Sequence, residues 1–384
     1  MPNDLTPPTT PQNGAPLGTL AKSVHTAPLS PLPKYQQNRA EAFTLQRTAA
    51  AILRRERVGK CMWSMCDLSS GVRVLRRETR ARFDGLQTCG SVWMCPVCSA
   101  RISETRRREL NAALSQARAL NLSPVLITLT TRHKADDDLP TLLASLKAAK
   151  QHWHKSRTYH AHKPLIAGVI TATEVTFGIA NGWHPHLHLL AFLRLPGGVD
   201  HIITQNRIHQ DLRAQWLTSL EASGLSGNGA AFDLQSGDAA GQYVAKWGAA
   251  EELALSSKKG TPDKAAKTTG YHPFDLLRQA AYLAKARALF FDYATAFKGR
   301  RQLQWTPGLR QLLAVPEVSD EEAAAPPAFD NLDEWMASIS REDWPALRVK
   351  GRARILEAAE AATDLLDSLP DALNAMLLEP DDQR

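Results

Sequence analysis

The sequence predicts an α+β fold, a central antiparallel sheet with flanking helices, preceded by a cysteine-rich zinc-binding segment and followed by an acidic helical tail. Three observations carry this. Short β-branched runs alternate with stretches of helical periodicity. Two apolar runs, Leu165–Phe177 and Trp183–Leu193, are joined by Gly178-Ile179-Ala180-Asn181-Gly182, whose Asn-Gly pair suits a tight hairpin. All five cysteines lie between positions 61 and 98, ahead of those runs.

In order, residues 1–34 are rich in Pro, Thr, Ser and Asn without apolar periodicity, which predicts disorder. Residues 35–121 read as a helix over Asn38–Arg57, the cysteine region, and an arginine-rich helical stretch, Ser99–Leu120. Residues 122–313 form the sheet-containing core. It opens with the strand Pro124–Thr131 and a helix over Leu139–Tyr159. After the hairpin come helices at Gln205–Ala222 and Ala239–Leu253, with a short strand at Ala230–Leu234 between them. Ser256–Gly270 reads as a Lys-rich loop, Phe274–Phe297 as one long helix, and Arg300–Trp305 as a basic strand closing the sheet. An Ala/Pro/Glu linker over 314–327 leads to the acidic helical tail, 328–384.

Composition narrows the class. With 43% hydrophobic and 22% charged residues the chain reads as an ordinary soluble protein, and no apolar run approaches the ~20 residues of a membrane span. The N-terminus lacks a basic region followed by an apolar one, so the reading is cytoplasmic. The net charge of +7 is unevenly spread: from Val315 onward 17 acidic and 6 basic residues give −11, leaving +18 to the rest. Such a basic body suits a polyanion, because neutralising phosphates releases counterions.

The sharpest motif is Trp183-His184-Pro185-His186-Leu187-His188. On a strand, residues two apart share a face, so the three imidazoles point the same way and can share a metal ion. Glu174, on the preceding strand, falls near His186 or His188 across a hairpin of this length and could add a carboxylate. A His/Glu site of this kind suits an exchangeable Mg²⁺ or Mn²⁺.

His186-Leu187-His188-Leu189-Leu190-Ala191 resembles the HUH motif of rolling-circle replication initiators and relaxases. Leu126-Ile127-Thr128-Leu129-Thr130 resembles the family's first motif, and Gln242-Tyr243-Val244-Ala245-Lys246 the third, which carries the catalytic tyrosine and a lysine. Gly299–Trp305 resembles a stretch near the end of single-tyrosine plasmid initiators. With the cysteine segment, the resemblance covers roughly residues 60–310. It implies an HUH-type nuclease core and a replication protein that nicks a plasmid origin, single-stranded or hairpin, and re-joins strands. Tyr243 would attack the scissile phosphate, Lys246 would pair with a phosphate oxygen, and His184, His186, His188 and Glu174 would hold the metal. Host helicase and polymerase would be its partners. The tyrosine follows the histidines, unlike the order in relaxases. Ala239 stands where some single-tyrosine initiators carry a glutamate, and Asp238 reads as a helix N-cap.

Cys95-Pro96-Val97-Cys98 has the spacing of a zinc half-site, and Cys61-x4-Cys66 could supply the other half. Similarity to the plasmid initiators favours Cys61, Cys89, Cys95 and Cys98 instead, with Cys66 spare, and spacing alone leaves both sets open. Four thiolates would close the zinc shell, so this metal is structural. Arg106, Arg107, Arg108, Lys155, Arg157, Arg300 and Arg301 are the candidate DNA contacts. Competing readings are a transposase of single-strand insertion elements with the same chemistry, a non-catalytic zinc-containing DNA-binding regulator, and a metal-dependent hydrolase of small molecules.

Overall fold

The computed structural model describes residues 33–195, 201–235, 239–244, 270–362 and 368–380. Helix α1 (Lys34–Ile52) precedes a hairpin of β1 (Gly71–Arg77) and β2 (Arg80–Asp84), then α2 (Pro96–Ala119), β3 (Ser123–Leu129), α3 (Leu139–Lys155) and α4 (Arg157–His162). A long hairpin of β4 (Ile166–Gly178) and β5 (Gly182–Leu193) leads to α5 (His201–Glu221), β6 (Phe232–Gln235) and α6, the helical residues 239–244. The chain continues through α7 (Pro273–Gln279), α8 (Ala284–Phe297), β7 (Leu303–Trp305), α9 (Leu309–Leu312) and α10 (Asp320–Ala324). It ends with β8 (Glu334–Ser340), α11 (Trp344–Ala361) and α12 (Ser368–Leu378).

Five strands form a sheet in the order β6-β3-β5-β4-β7, each neighbouring pair antiparallel. The central hairpin closes where Gly178 pairs with Gly182. Gly182 has φ +75°, and a Cβ there would lie 2.8 Å from the carbonyl oxygens of both Lys134 and Ala135, so only glycine fits. The sheet is covered on both sides. Leu187, Leu189, Ala191 and Leu193 face Trp153 of α3 and Trp216 of α5. Each indole N–H is satisfied, by Leu212 O and Thr130 O respectively, both at 3.1 Å. Leu190 and Phe192, one residue out of phase, pack against Leu110, Ala113 and Leu114 of α2 and Val244 of α6. The histidines of β5 share this second face.

A second, three-stranded antiparallel sheet has the order β2-β1-β8. Its third strand comes from the region expected to be a helical tail. Residues 328–384 therefore supply a strand paired with β1, and α11, which packs on α1, β1 and β2. The sequence EWMASIS hides this strand because only Met336 and Ile339 turn inward and acidic residues flank it. The acids have partners: Asp333 pairs with Arg77 and Arg82, Glu334 with Arg76, and Glu360 with Arg39. Part of the charge asymmetry is thus spent inside the fold.

Two further elements differ from expectation. The stretch expected as one helix from Phe274 is broken into α7 and α8 between Ala280 and Leu283, and the closing strand shortens to Leu303–Trp305. The expected loop Ser256–Gly270 and most of the helix Ala239–Leu253 lie outside the described residues, as do residues 1–32. Among the described residues no helix is long and apolar enough to cross a membrane.

Candidate metal centres

Register across the central hairpin sets the first cluster. Glu174 of β4 stands opposite His186 of β5, and Thr128 of β3 stands opposite His188 on the other flank. Glu174 Oε2 lies 3.2 Å from His186 Nε2 and 3.5 Å from His188 Nε2. From α6, the Tyr243 hydroxyl donates to Glu174 Oε1 at 2.7 Å, and its ring centroid is 4.7 Å from that of His188. One carboxylate therefore touches two imidazoles and a phenol.

Ligand atoms of Glu174, His186 and His188 all lie within 4.8 Å of one another. Two imidazole nitrogens and a carboxylate oxygen suit a divalent cation. His188 Nδ1 lies 3.1 Å from Thr128 Oγ1, which orients the ring so that Nε2 faces the cluster. His184 shares the strand face but not the cluster. Its Nε2 is 2.8 Å from Thr130 Oγ1, and its ring stacks on His133 at 4.8 Å. Burial, with the charges of His186 and His133, lowers its pKa to about 4. His184 therefore stands outside the cluster formed by Glu174, His186 and His188.

Burial would raise the Glu174 carboxyl, but hydrogen bonds to His186 and His188 outweigh it and hold the group below the usual carboxylate range. Tyr243 moves the other way. Burial first, then the charge and hydrogen bond of Glu174, push its phenol well above the ordinary range. The chain by itself keeps Tyr243 protonated, and a positive charge placed against Glu174 would relieve that.

Glu174, His188 and Tyr243 form one side of a cavity of about 330 Å³, lined elsewhere by Trp93, His272, Phe274 and Gln302. The Glu174 side chain keeps 40% exposure although it lies deep in the fold, because its carboxylate opens into this space. His272 caps α7, its Nδ1 accepting the Phe274 N–H at 3.3 Å.

The second cluster is closed. Cys61, Cys89, Cys95 and Cys98 are all buried, and their sulfurs lie within 4.8 Å of one another. Sγ separations of 3.4 Å (Cys61–Cys98), 3.5 Å (Cys61–Cys95) and 3.6 Å (Cys89–Cys98) approach the ~3.8 Å edge of a tetrahedron built on Zn–S bonds of ~2.3 Å. Contacts with Cys61, Cys89 and Cys95 hold the Cys98 thiol well below the ordinary thiol range, so at least one thiolate is favoured there. Cys66 lies apart, half-buried, with burial and then Asp84 and Asp67 raising its pKa. Of the two ligand sets open from spacing, the structure gathers the one without Cys66. Helix α2 joins the clusters: Cys95 is its N-cap and Cys98 lies in its first turn, while Leu110 to Ala117 pack on the histidine-bearing sheet.

The expected basic contacts divide. Arg106 is buried, paired with Glu109 and Asp320 at 2.5 Å and donating to Val318 O, so it fixes α10 to α2 and presents nothing to a ligand. Arg107 and Arg108 both bond Glu104. Lys155 and Arg157 are exposed, but α3 and α4 cover the sheet face opposite the histidines. Arg300 donates to Ala296 O, and Arg301 is exposed 3.5 Å from Glu317. Lys246 and Asp238 lie outside the described residues. Sequence reasoning missed Thr128, His272 and Gln302. Thr128 sat within the quoted Leu126–Thr130 strand and Gln302 within the quoted Gly299–Trp305 stretch, whereas nothing local marked His272.

Residues 81–198 match the replication protein family. That segment spans Cys89, Cys95, Cys98, Glu174, His186 and His188 and ends before Tyr243. The chain is 26% identical over 355 residues to "Protein rep" of Streptomyces lividans, covering 72% of this chain and 75% of that protein. It is also 30% identical over 135 residues to "Neomycin resistance protein" of Streptomyces cyanogenus, covering 28% of this chain and 31% of that protein. No solved structure matches it.

Proposed function

With a replication-protein domain over residues 81–198, we propose that this chain initiates rolling-circle replication of a plasmid by nicking one DNA strand through Tyr243. The observation that carries the proposal is the hydrogen bond from the Tyr243 hydroxyl to Glu174, the carboxylate that also faces His186 and His188. A nucleophile of high pKa, a proton acceptor and a cation-binding set converge at one carboxylate.

In this reading Tyr243 Oη attacks the scissile phosphorus and its proton leaves along the hydrogen bond toward Glu174. The bond from phosphorus to the 3′ oxygen breaks, and that oxygen takes a proton from water. The products are a 5′-phosphotyrosine and a free 3′-hydroxyl. A Mg²⁺ or Mn²⁺ held by Glu174, His186 and His188 would supply charge to the phosphate and offset the carboxylate that raises the phenol. Thr128 keeps His188 turned toward that position. Lys246 is assigned to a phosphate oxygen. Zinc is assigned to Cys61, Cys89, Cys95 and Cys98, where four thiolates leave no position for substrate.

The test is incubation with a labelled single-stranded oligonucleotide carrying the plasmid's nick region, then denaturing electrophoresis and mass spectrometry of the linked peptide. Wild-type protein should retain label on Tyr243, and Tyr243→Phe should retain none while still binding the strand. Label on another residue, or undiminished label in Tyr243→Phe, contradicts the mechanism. DNA binding without any adduct favours a non-catalytic regulator.

A further inference from the structure

We propose that the cavity beside Glu174 and Tyr243 is a nucleobase pocket, which receives the unpaired base of a nucleotide flanking the phosphate that Tyr243 attacks. The inference rests on the nicking reading for the position of that phosphate, and adds to it a site that reads sequence.

The cavity's volume, about 330 Å³, falls at the lower end of the ~300–1,000 Å³ typical of small-ligand pockets. Glu174, His188 and Tyr243 form one wall, so whatever enters lies next to the attacking hydroxyl. The other walls are largely apolar and aromatic, led by Trp93 and Phe274. Trp93 is partly exposed and held from behind. Its indole N–H donates to Arg300 O at 2.7 Å, and its ring sits 4.7 Å from that of Phe297. Among the described residues no lysine or arginine lines the space, and Glu174 turns a carboxylate into it, so the described walls offer a phosphate no cationic partner. A flat, neutral, mainly apolar ring needs none, and aromatic walls favour stacking.

The second, independent observation is Gln302. It lines the cavity and is only 7% exposed. Its Nε2 donates to Ser103 Oγ at 2.9 Å, which fixes the amide's orientation, and its Oε1 is buried with no hydrogen-bond partner among the described residues. A buried acceptor left unmade is costly, and a small shift on binding would let it take an N–H from a base edge. His272 adds the complement. With Nδ1 accepting the Phe274 N–H, the neutral ring carries its proton on Nε2 and can donate. An acceptor and a donor lining one pocket fit a base edge that sets an N–H beside a lone pair, which every nucleobase carries and an abasic residue lacks.

The experiment uses the full chain and two readouts. In the first, oligonucleotides randomised around the nick are incubated with protein and the covalently retained strands are sequenced. Wild-type adducts should favour some bases over others at one nucleotide flanking the joined phosphate. An abasic residue there should lower adduct formation about 10-fold, and Gln302→Leu should flatten the preference. Equal adduct yield from abasic and intact strands, or an unchanged preference in Gln302→Leu, overturns the pocket. The second readout does not depend on nicking. A short strand with a single 2-aminopurine is titrated into wild-type, Trp93→Leu and Gln302→Leu proteins, with zinc content checked to confirm folding. Stacking should quench its fluorescence in wild type and be weakened in Trp93→Leu; equal quenching in both overturns the pocket. Absence of adducts with every strand would sink the nicking reading, while this titration would still decide whether the pocket holds a base.

Discussion

The two clusters use different ligands in opposite surroundings. Four cysteine sulfurs are packed into the apolar core beside α1, α2 and the β1–β2 hairpin, with all four residues buried. The Glu174, His186 and His188 atoms are as close to one another, but Glu174 and His188 open into a cavity, and Glu174 keeps a further partner, Tyr243, within hydrogen-bonding distance. A shell completed by protein alone can only hold structure, whereas one with a free side can meet a substrate. Helix α2 runs from one to the other, so the closed cluster positions a wall of the open one.

Breaking the closed cluster should have the larger effect. Cys98→Ser removes a sulfur that makes two of the three short contacts, and we expect zinc loss and a fall in Tm of ~10 °C or more by calorimetry. A folded, zinc-free variant with unchanged Tm would show that the cysteines merely fill the core. His188→Ala should do the reverse, reducing adduct formation by about 100-fold or more with Tm little altered. A parallel loss of Tm and activity would erase the distinction.

A smaller, pH-dependent effect comes from the opposite sheet face. His154 is held to about pKa 4, by burial and then the charge of Lys150, against an ordinary 6.5. The unfolded chain takes up its proton first, so stability from this group is complete above pH 6.5 and is lost as pH falls toward 4. Its Nε2 is buried without a hydrogen-bond partner among the described residues, leaving a proton there nothing among them to bond. Denaturant melts across that window should show a shallower pH slope in His154→Leu than in wild type, while adduct formation at pH 7.5 stays in the wild-type range. An identical slope would place the acid sensitivity elsewhere.

Much of the open site was legible because strand periodicity and hairpin length are local. Alternation put three histidines on one face, and counting across Gly178–Gly182 put Glu174 opposite His186. Periodicity could not say that Thr130 occupies His184, since that depends on which strand lies alongside. The same limit hid β8: Glu334–Ser340 becomes a strand by pairing with β1, more than 250 positions earlier. Nor could charge counting show that Asp333 and Glu360 of the acidic region answer arginines of the cysteine module. Arg106 reads as surface in an arginine-rich helix, and only the tertiary partner Asp320 explains its burial.

The division of labour between the clusters is tested most directly by following both metals in one sample. Full-length protein is treated briefly with EDTA, bound zinc is counted by elemental mass spectrometry, and adduct formation is measured before and after adding Mn²⁺ or Mg²⁺. We expect the adduct to vanish while zinc stays on the protein, and to return with either added ion. Adduct formation that persists under verified chelation, or that falls only in step with zinc, would contradict the assignment of chemistry to Glu174, His186 and His188.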